Sequence, residues 1–151
     1  MKKFIAYPIA IVVCLGVGYL SSLIQADALR EWYPTIARSP LSPPNMVFPI
    51  VWTVLYVLMG VSLGECFRTE NMRAVLPWVL QLIVNFLWVV LFFRLRDPLL
   101  GLADLLLLIV LTVWYMSSAG RTSSWAAWLM TPYLLWLLFA TYLNWYVYAH
   151  N

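Results

Sequence analysis

Charged side chains, and the groups that carry most enzyme chemistry, are scarce in this sequence. Charged residues make up 10% of its 151 residues, whereas a typical soluble domain has about 25%. The one histidine, His150, lies outside the apolar runs, and the two cysteines, Cys14 and Cys66, lie in different runs. No histidine, cysteine or carboxylate cluster has the spacing of a metal site, and no Ser–His pair or glycine-rich phosphate loop is present. We therefore expect no metal, no required cofactor and no ordinary hydrolytic or phosphoryl-transfer chemistry.

Hydrophobic residues, in contrast, account for 64% of the chain and occur in long runs. A run of about 20 apolar residues is long enough to cross a bilayer as a helix. The formal net charge of +3 is carried by residues between the runs, which is typical of membrane flanks rather than of a nucleic-acid surface. The sequence predicts an integral multi-pass membrane protein surrounded by lipid, with no nucleic-acid partner.

Five such runs predict an all-α bundle of five transmembrane helices that forms a single domain over residues 1–151. The expected spans are residues 4–24, 46–67, 74–94, 98–118 and 124–148. Short connectors after the second, third and fourth spans make those neighbours antiparallel. Asp97 and Pro98 have the order of an N-cap and a first-turn proline, and Pro132 is expected to kink the fifth span.

Basic residues are divided almost evenly between the two ends of the predicted bundle. Five fall on the side of the N-terminus (Lys2, Lys3, Arg68, Arg73 and Arg121), and four fall on the other side (Arg30, Arg38, Arg94 and Arg96). The positive-inside rule gives only a slight preference for a cytoplasmic N-terminus. A dual orientation is compatible with the same count.

The first connector, residues 25–45, is the one long link, and its composition is that of a shaped segment. It carries four prolines, at positions 34, 40, 43 and 44, and the aromatic pair Trp32 and Tyr33. Proline fixes φ and stiffens the chain. We interpret the connector as a structured lid whose rings cover the mouth of a pocket.

Polar and aromatic residues share faces of three predicted helices. At 100° per residue, the sets are Phe48, Trp52, Tyr56 and Met59; Gln81, Asn85 and Trp88; and Tyr133, Trp136, Ala140 and Asn144. Amides are costly in lipid unless paired, so these faces are expected to turn inward. Convergence of rings and amides favours a ligand pocket. The alternative is interhelical hydrogen bonding without a ligand, worth about 0.6 kcal/mol per bond on average.

Two further features have both a functional and a structural interpretation. Asp104 is the one acidic residue deep in a span, which makes it a functional candidate. Its position near Pro98 instead favours a carboxylate hydrogen-bonded to a neighbouring helix. Gly60 and Gly64 form a GxxxG pattern that allows close helix approach, within the bundle or across a dimer.

The sequence resembles the TspO/MBR family in the order of these motifs along the chain. That family comprises the translocator protein (peripheral-type benzodiazepine receptor) and the bacterial tryptophan-rich sensory proteins. The similarity covers nearly the whole sequence. It is carried by Trp32-Tyr33, Pro40, Pro43-Pro44, Val51-Trp52, Leu55-Tyr56, Met59-Gly60, Gln81-Leu82, Asn85, Trp88, Phe92-Phe93, Ala103-Asp104-Leu105-Leu106, Pro132-Tyr133, Trp136, Phe139-Ala140-Thr141 and Leu143-Asn144.

The resemblance implies a five-helix membrane protein, usually a homodimer, here expected in a bacterial cell envelope. It implies binding of porphyrins, in particular protoporphyrin IX, and of isoquinoline-carboxamide or benzodiazepine-type drugs between the helices, under the first connector. Some bacterial members are reported to degrade protoporphyrin in light, which would assign catalytic roles to Trp52 and Trp136. Together with the shared helix faces, it predicts as ligand-binding residues Trp32, Tyr33, Trp52, Tyr56, Asn85, Trp88, Tyr133, Trp136, Ala140 and Asn144.

The sequence departs from the family pattern at two places. Many members have tryptophan where this chain has Leu41, which removes one ring from the expected lid. Animal members carry a C-terminal cholesterol-recognition pattern that ends in a basic residue, whereas residues 143–150 here contain neither lysine nor arginine. We therefore do not predict sterol transport.

Three functions remain open from the sequence. The first is a porphyrin-binding receptor, sensor or carrier, in which Trp52 and Trp136 stack on the ring and Arg30 or Arg38 meets its propionates. A pocket without histidine favours metal-free porphyrin over haem. The second is light- and oxygen-dependent porphyrin degradation. The third is a regulatory interaction protein that acts through a dimer face such as Gly60 and Gly64.

Overall fold

The structure, a computed structural model, describes residues 3–151, and the described chain consists of helices joined by mostly short segments. Lys2, counted above among the basic flanks, lies outside this range. The α-helices are α1 (Ala6–Glu31), α2 (Val47–Arg68), α3 (Val75–Val89), α4 (Pro98–Ala119), α5 (Ser124–Trp128) and α6 (Thr131–His150). Five helical segments are long and apolar enough to span a membrane, with α5 and α6 counted as one, which confirms the predicted all-α, five-span fold. The protein is therefore an integral multi-pass membrane protein.

Polar contacts at the two ends of the bundle agree with antiparallel neighbours. Lys3 Nζ lies 2.8 Å from a carboxylate oxygen of Glu70, at the end where α2 turns into α3. At the opposite end, Arg96 lies 3.4 Å from Glu31. The Asp97 side chain accepts hydrogen bonds of 3.1 Å from the Leu99 and Leu100 amides, which confirms the predicted N-cap of α4.

The first helix extends seven residues beyond the predicted end of its span. Residues 25–31, assigned above to the connector, are the last two turns of α1. They contain neither glycine nor proline, and Arg30 pairs with Asp27 at 2.7 Å one turn earlier, so nothing in this stretch opposes a helix. The connector proper begins at Trp32 and continues with a 3-10 turn, Tyr33–Thr35.

The fifth span is broken, not kinked as predicted. α5 ends at Trp128, and α6 begins at Thr131 with Pro132 in its first turn. Proline has no amide hydrogen, and its ring clashes with the carbonyl four residues earlier. The chain avoids that clash by starting a new helix, in which an early proline is favourable.

The third span ends in a π-helical turn, Val90–Arg94. Its wider turn places the consecutive residues Phe92 and Phe93 on the interior side, where 3% and 7% of their surfaces are exposed. The two rings meet edge to face, with centroids 4.9 Å apart. The apolar run of residues 74–94 predicts a regular helix here instead, and π turns of this kind are frequent near functional sites.

Gly60 and Gly64 form a close seam between α2 and α1 of the same chain, called the glycine seam below. A Cβ atom on Gly60 would lie 2.6 Å from the Ile11 backbone, and one on Gly64 would collide with the Tyr7 ring. Beside the seam, Tyr7 donates a 2.7 Å hydrogen bond to Glu65. Of the two roles considered for these glycines, the structure shows close approach within the bundle, and α1 occupies the surface that a dimer would have used.

Buried side chains form two clusters, one at each end of the bundle. The larger includes Met59, Tyr115 and Leu137, each at 0% exposure. The smaller joins Ala28 and Tyr33 to the phenylalanines of the π turn, close to the connector. Trp88 packs against both clusters.

Candidate functional site

A cavity of about 630 Å³ lies at the connector end, between α1, α2, the end of α3 and α6. Arg38 and Ser42 of the connector contribute to its lining. Its size falls in the range of small-molecule sites. The lining includes eight of the ten residues predicted to bind a ligand, namely Tyr33, Trp52, Tyr56, Asn85, Trp88, Trp136, Ala140 and Asn144.

The other two predicted ligand-binding residues lie outside the lining. The Trp32 ring packs edge-on against Phe92, with centroids 5.4 Å apart, and so supports the cavity wall from behind. Tyr133 is fully buried, and its hydroxyl accepts a 2.9 Å hydrogen bond from Asn85 Nδ2. Helical spacing placed Tyr133 on the correct side of its helix, and the family resemblance placed Trp32 near the cavity, but both side chains lie one layer behind the lining.

Aromatic rings form the wall opposite α1. The ring centroids of Trp52 and Trp136 are 6.5 Å apart, with their planes almost perpendicular at 87°. Phe48 packs edge-on against Trp136 at 5.9 Å, and Trp88 stacks on Phe92 at 5.1 Å. Such edge-to-face and offset contacts are favourable aromatic geometries. They hold the rings in place and give this wall an apolar surface.

The two asparagines of the lining are engaged with the protein itself. Asn85 Oδ1 accepts a 2.8 Å hydrogen bond from the Tyr56 hydroxyl, in addition to the bond from Nδ2 described above. Asn144 Oδ1 accepts from Trp88 Nε1 at 3.0 Å, and Asn144 Nδ2 donates to the Pro98 carbonyl at 2.7 Å. These amides tie α2, α3, α4 and α6 together, which was the alternative interpretation of the polar faces.

The connector is fastened over the cavity by contacts with the end of α6. The Asn151 side chain accepts a hydrogen bond from the Ala37 amide and donates one to the Ala37 carbonyl, both at 3.0 Å. Ser39 and Tyr142 hydroxyls lie 2.9 Å apart. Leu41, expected to alter the lid, is 66% exposed and does not line the cavity. The difference at this position thus affects the outer surface of the lid.

Of the two arginines considered for an anionic ligand group, the structure brings only one to the cavity. Arg38 lines the cavity, and its guanidinium carbon lies 4.5 Å from the centre of the Tyr33 ring, a cation–π distance. Arg30 lies outside the lining and is paired with Asp27. The expectation for Arg30 is therefore wrong, because the extension of α1 places it on an exposed helix surface.

The wall contributed by α1 was missed from the sequence. Leu15, Gly18, Ser21, Ser22 and Gln25 are among its lining residues. Gly18 lies against the Tyr56 ring, which occupies the place where a Cβ would stand. The available signal was the spacing of the polar residues 21, 22 and 25 on one helical face, but residue 25 was assigned to the connector.

Asp104 lies outside the cavity lining, and its predicted hydrogen bond to a neighbouring helix is not observed. The residue is 5% exposed, and its Oδ2 atom has no hydrogen-bond partner among residues 3–151. Gln81 is fully buried on α3, also outside the lining, and its Nε2 donates to Met59 Sδ at 3.8 Å. These polar groups belong to the bundle interior.

Residues 10–149 match the sequence profile of the TspO/MBR family. The chain is 34% identical over 148 residues to the tryptophan-rich protein TspO of Chlorobaculum tepidum, covering 95% of this chain and 94% of that protein. It is 30% identical over 132 residues to the tryptophan-rich sensory protein of Cereibacter sphaeroides, covering 87% and 82%. It is 34% identical over 150 residues to the human translocator protein, covering 91% and 84%.

Proposed function

Because the chain belongs to the TspO/MBR family, we propose that it is a membrane receptor, sensor or carrier for porphyrins such as protoporphyrin IX. Drug-like hydrophobic molecules would occupy the same cavity. The observation that carries the proposal is the paired surface of Trp52 and Trp136 inside a cavity of about 630 Å³. A planar tetrapyrrole would stack on the face of one of these rings and meet the edge of the other, and each aromatic pair contributes about 0.5–1.5 kcal/mol beyond the area it buries.

The side chains that line the cavity favour a porphyrin that carries carboxylates and no metal. Arg38 stands in the lining where a propionate of the bound ring would reach it, and a charge-assisted hydrogen bond is stronger than a neutral one. His150, the one histidine in the sequence, stacks on Tyr146 at 3.8 Å and lies outside the lining. The cavity lining therefore contains no histidine that could coordinate haem iron as an axial ligand.

The proposal is tested by titrating the purified protein, in detergent or lipid nanodiscs, with protoporphyrin IX. We expect saturable quenching of tryptophan fluorescence, because several tryptophans lie at or beside the cavity. A soluble fluorescent tryptophan derivative at the same concentration corrects for inner-filter absorption. Quenching that rises without saturation, as in this control, would show that no specific site exists.

A second candidate function is oxidation of the bound porphyrin by molecular oxygen in light. The near-perpendicular contact of Trp52 and Trp136 favours it, because both electron-rich rings line the cavity in which the porphyrin would bind. In that reaction the porphyrin is oxidised, oxygen is reduced, and the tryptophans relay the electron. We expect illuminated complexes to form new absorbing products, and Trp52→Phe and Trp136→Phe to prevent this while binding persists. Equal bleaching rates with and without protein would rule the reaction out.

The family resemblance also leads us to propose a homodimer. The glycine seam is closed by α1 of the same chain, so the dimer would use another face. A regulatory interaction protein without transport or catalysis would depend on that other face, and it would retain its function when the cavity is altered.

A further inference from the structure

Hydrogen bonds from α6 hold the connector on both sides of Arg38. One residue before it, the Ala37 amide donates to Asn151 Oδ1 and the Ala37 carbonyl accepts from Asn151 Nδ2, both at 3.0 Å. One residue after it, the Ser39 hydroxyl lies 2.9 Å from that of Tyr142. These contacts, called the α6 clamp below, join positions 114 and 103 residues apart in the sequence. They fix the backbone that carries Arg38.

The Asn151 side chain is itself anchored to its own helix. Its Nδ2 atom also donates a 2.7 Å hydrogen bond to the carbonyl of Val147, one turn earlier. A primary amide has two N–H groups and one oxygen, and all three are used here. Val147 is buried and lines the cavity. The clamp therefore ties the connector backbone to the same stretch of α6 that forms part of the cavity wall.

Arg38 stands at the boundary between two pockets. It lines the cavity and also a second pocket, of about 490 Å³, formed by connector residues 36–45. Arg30 and Arg96, at the same end of the bundle, pair with carboxylates, whereas Arg38 forms no ion pair within residues 3–151. Its guanidinium rests on the Tyr33 ring, a contact that leaves the positive charge without a counter-ion. An anion in the cavity would supply one.

The direction of the Arg38 side chain depends on the clamp, because residues 37–39 have no regular secondary structure. An unrestrained segment of this kind samples many backbone conformations. In part of them the guanidinium would turn toward the second pocket or toward water. A charge-assisted hydrogen bond requires a defined geometry, so the time that Arg38 spends facing the cavity determines how strongly it holds a carboxylate.

We propose that Asn151 and Tyr142 are positioning residues that hold Arg38 toward the carboxylate of the bound ligand, and that they thereby make the cavity selective for acids. The inference rests on the proposed function and adds to it the groups that determine specificity. Neither residue lines the cavity, so both act through Arg38 and not by touching the ligand.

Tyr148→Phe provides a matched control for Tyr142→Phe. Tyr148 lies on the same helix, outside the cavity lining, with 48% of its surface exposed, and both substitutions remove one phenolic hydroxyl. Asn151→Ala removes the other half of the clamp. Ala37 and Asn151 are both exposed, so we expect the thermal midpoint of Asn151→Ala, measured without ligand, to stay close to that of the wild type.

The experiment measures dissociation constants from porphyrin absorbance for protoporphyrin IX and for its dimethyl ester, which has the same ring but no carboxylate charge. We expect Arg38→Gln to weaken binding of the acid about tenfold, the loss of one charge-assisted hydrogen bond. Asn151→Ala and Tyr142→Phe should each weaken it about threefold, because Arg38 remains but faces the cavity for a smaller fraction of the time. Binding of the ester should stay unchanged in all three variants, and Tyr148→Phe should alter neither probe.

A double-mutant cycle separates positioning of Arg38 from general support of the lid. With Arg38→Gln already present, Asn151→Ala should cause no further loss of acid binding, because the residue that it positions is gone. Additive losses, or equal losses for the acid and the ester, would refute the positioning role while leaving the proposed function standing. Unchanged acid binding in Arg38→Gln would refute it as well. Failure of the wild type to bind either porphyrin would instead refute the proposed function.

Discussion

Replacing Trp136 by alanine is expected to weaken protoporphyrin binding about thirtyfold. Trp136 lines the cavity, meets Trp52 at right angles and is held by Phe48 and Phe139 with centroid distances of 5.9 and 5.7 Å. Truncation of an aromatic residue at the centre of a binding site costs about 2 kcal/mol or more, and each 1.4 kcal/mol is a factor of ten. The dissociation constant should be measured from the absorbance of the porphyrin, because the substitution itself changes tryptophan fluorescence.

Trp114 supplies the control for this substitution. It lies on α4, outside the cavity lining, with 44% of its surface exposed. Trp114→Ala removes the same side chain and should leave the dissociation constant unchanged. Trp136→Phe, which keeps a smaller ring in the same place, should fall between the wild type and Trp136→Ala. If both tryptophan truncations weaken binding equally, the porphyrin does not bind against Trp136.

Replacing Gly60 by valine should be the most damaging single change to the fold. Even a Cβ atom there would lie 2.6 Å from the main-chain atoms of Ile11, so the backbones of α1 and α2 would have to separate. Overpacking of a core costs about 1–3 kcal/mol, and because backbone cannot rotate away as a side chain can, we expect the upper end. The thermal midpoint and the yield of detergent-soluble protein should both fall, and Gly60→Ala should show a smaller loss.

Gly16, on α1, supplies a control for the Gly60 substitution within the same pair of helices. A Cβ atom on Gly16 would meet no atom within 4 Å, although the residue is likewise a helical glycine in a predicted span. Gly16→Val should therefore change the free energy of unfolding by no more than about 0.5 kcal/mol. Equal stability of the Gly60 and Gly16 variants would contradict the close packing of α1 on α2.

The fold was predictable because lipid leaves few alternatives to helices for long apolar runs. The ends of the helices were harder to place. The prolines of the connector correctly indicated an irregular segment, but they do not determine how far α1 continues before it, and residues 25–31 proved helical. At Pro132, local chemistry correctly located a defect, but whether a helix bends or restarts depends on packing of both halves.

Much of the candidate site was predictable, because helical spacing shows on which side of a helix each side chain lies. Trp52, Trp88 and Trp136 line the cavity as expected. Spacing does not reveal which partner a polar group has chosen, so Asn85 and Asn144 were expected to serve a ligand although they bond to tyrosine, tryptophan and a carbonyl. Helical spacing also does not show how deeply a side chain is buried. Tyr133 was therefore assigned to the cavity lining, although its side chain is fully buried beneath that lining.

The glycine seam fastens α1 to α2 at the end away from the connector. At the other end, Ala28 of α1 is buried against Phe92 and Phe93 of the π turn. Between these two fixed points, α1 supplies one wall of the cavity. A substitution at Gly60 should therefore disturb ligand binding as well as stability, although Gly60 does not line the cavity.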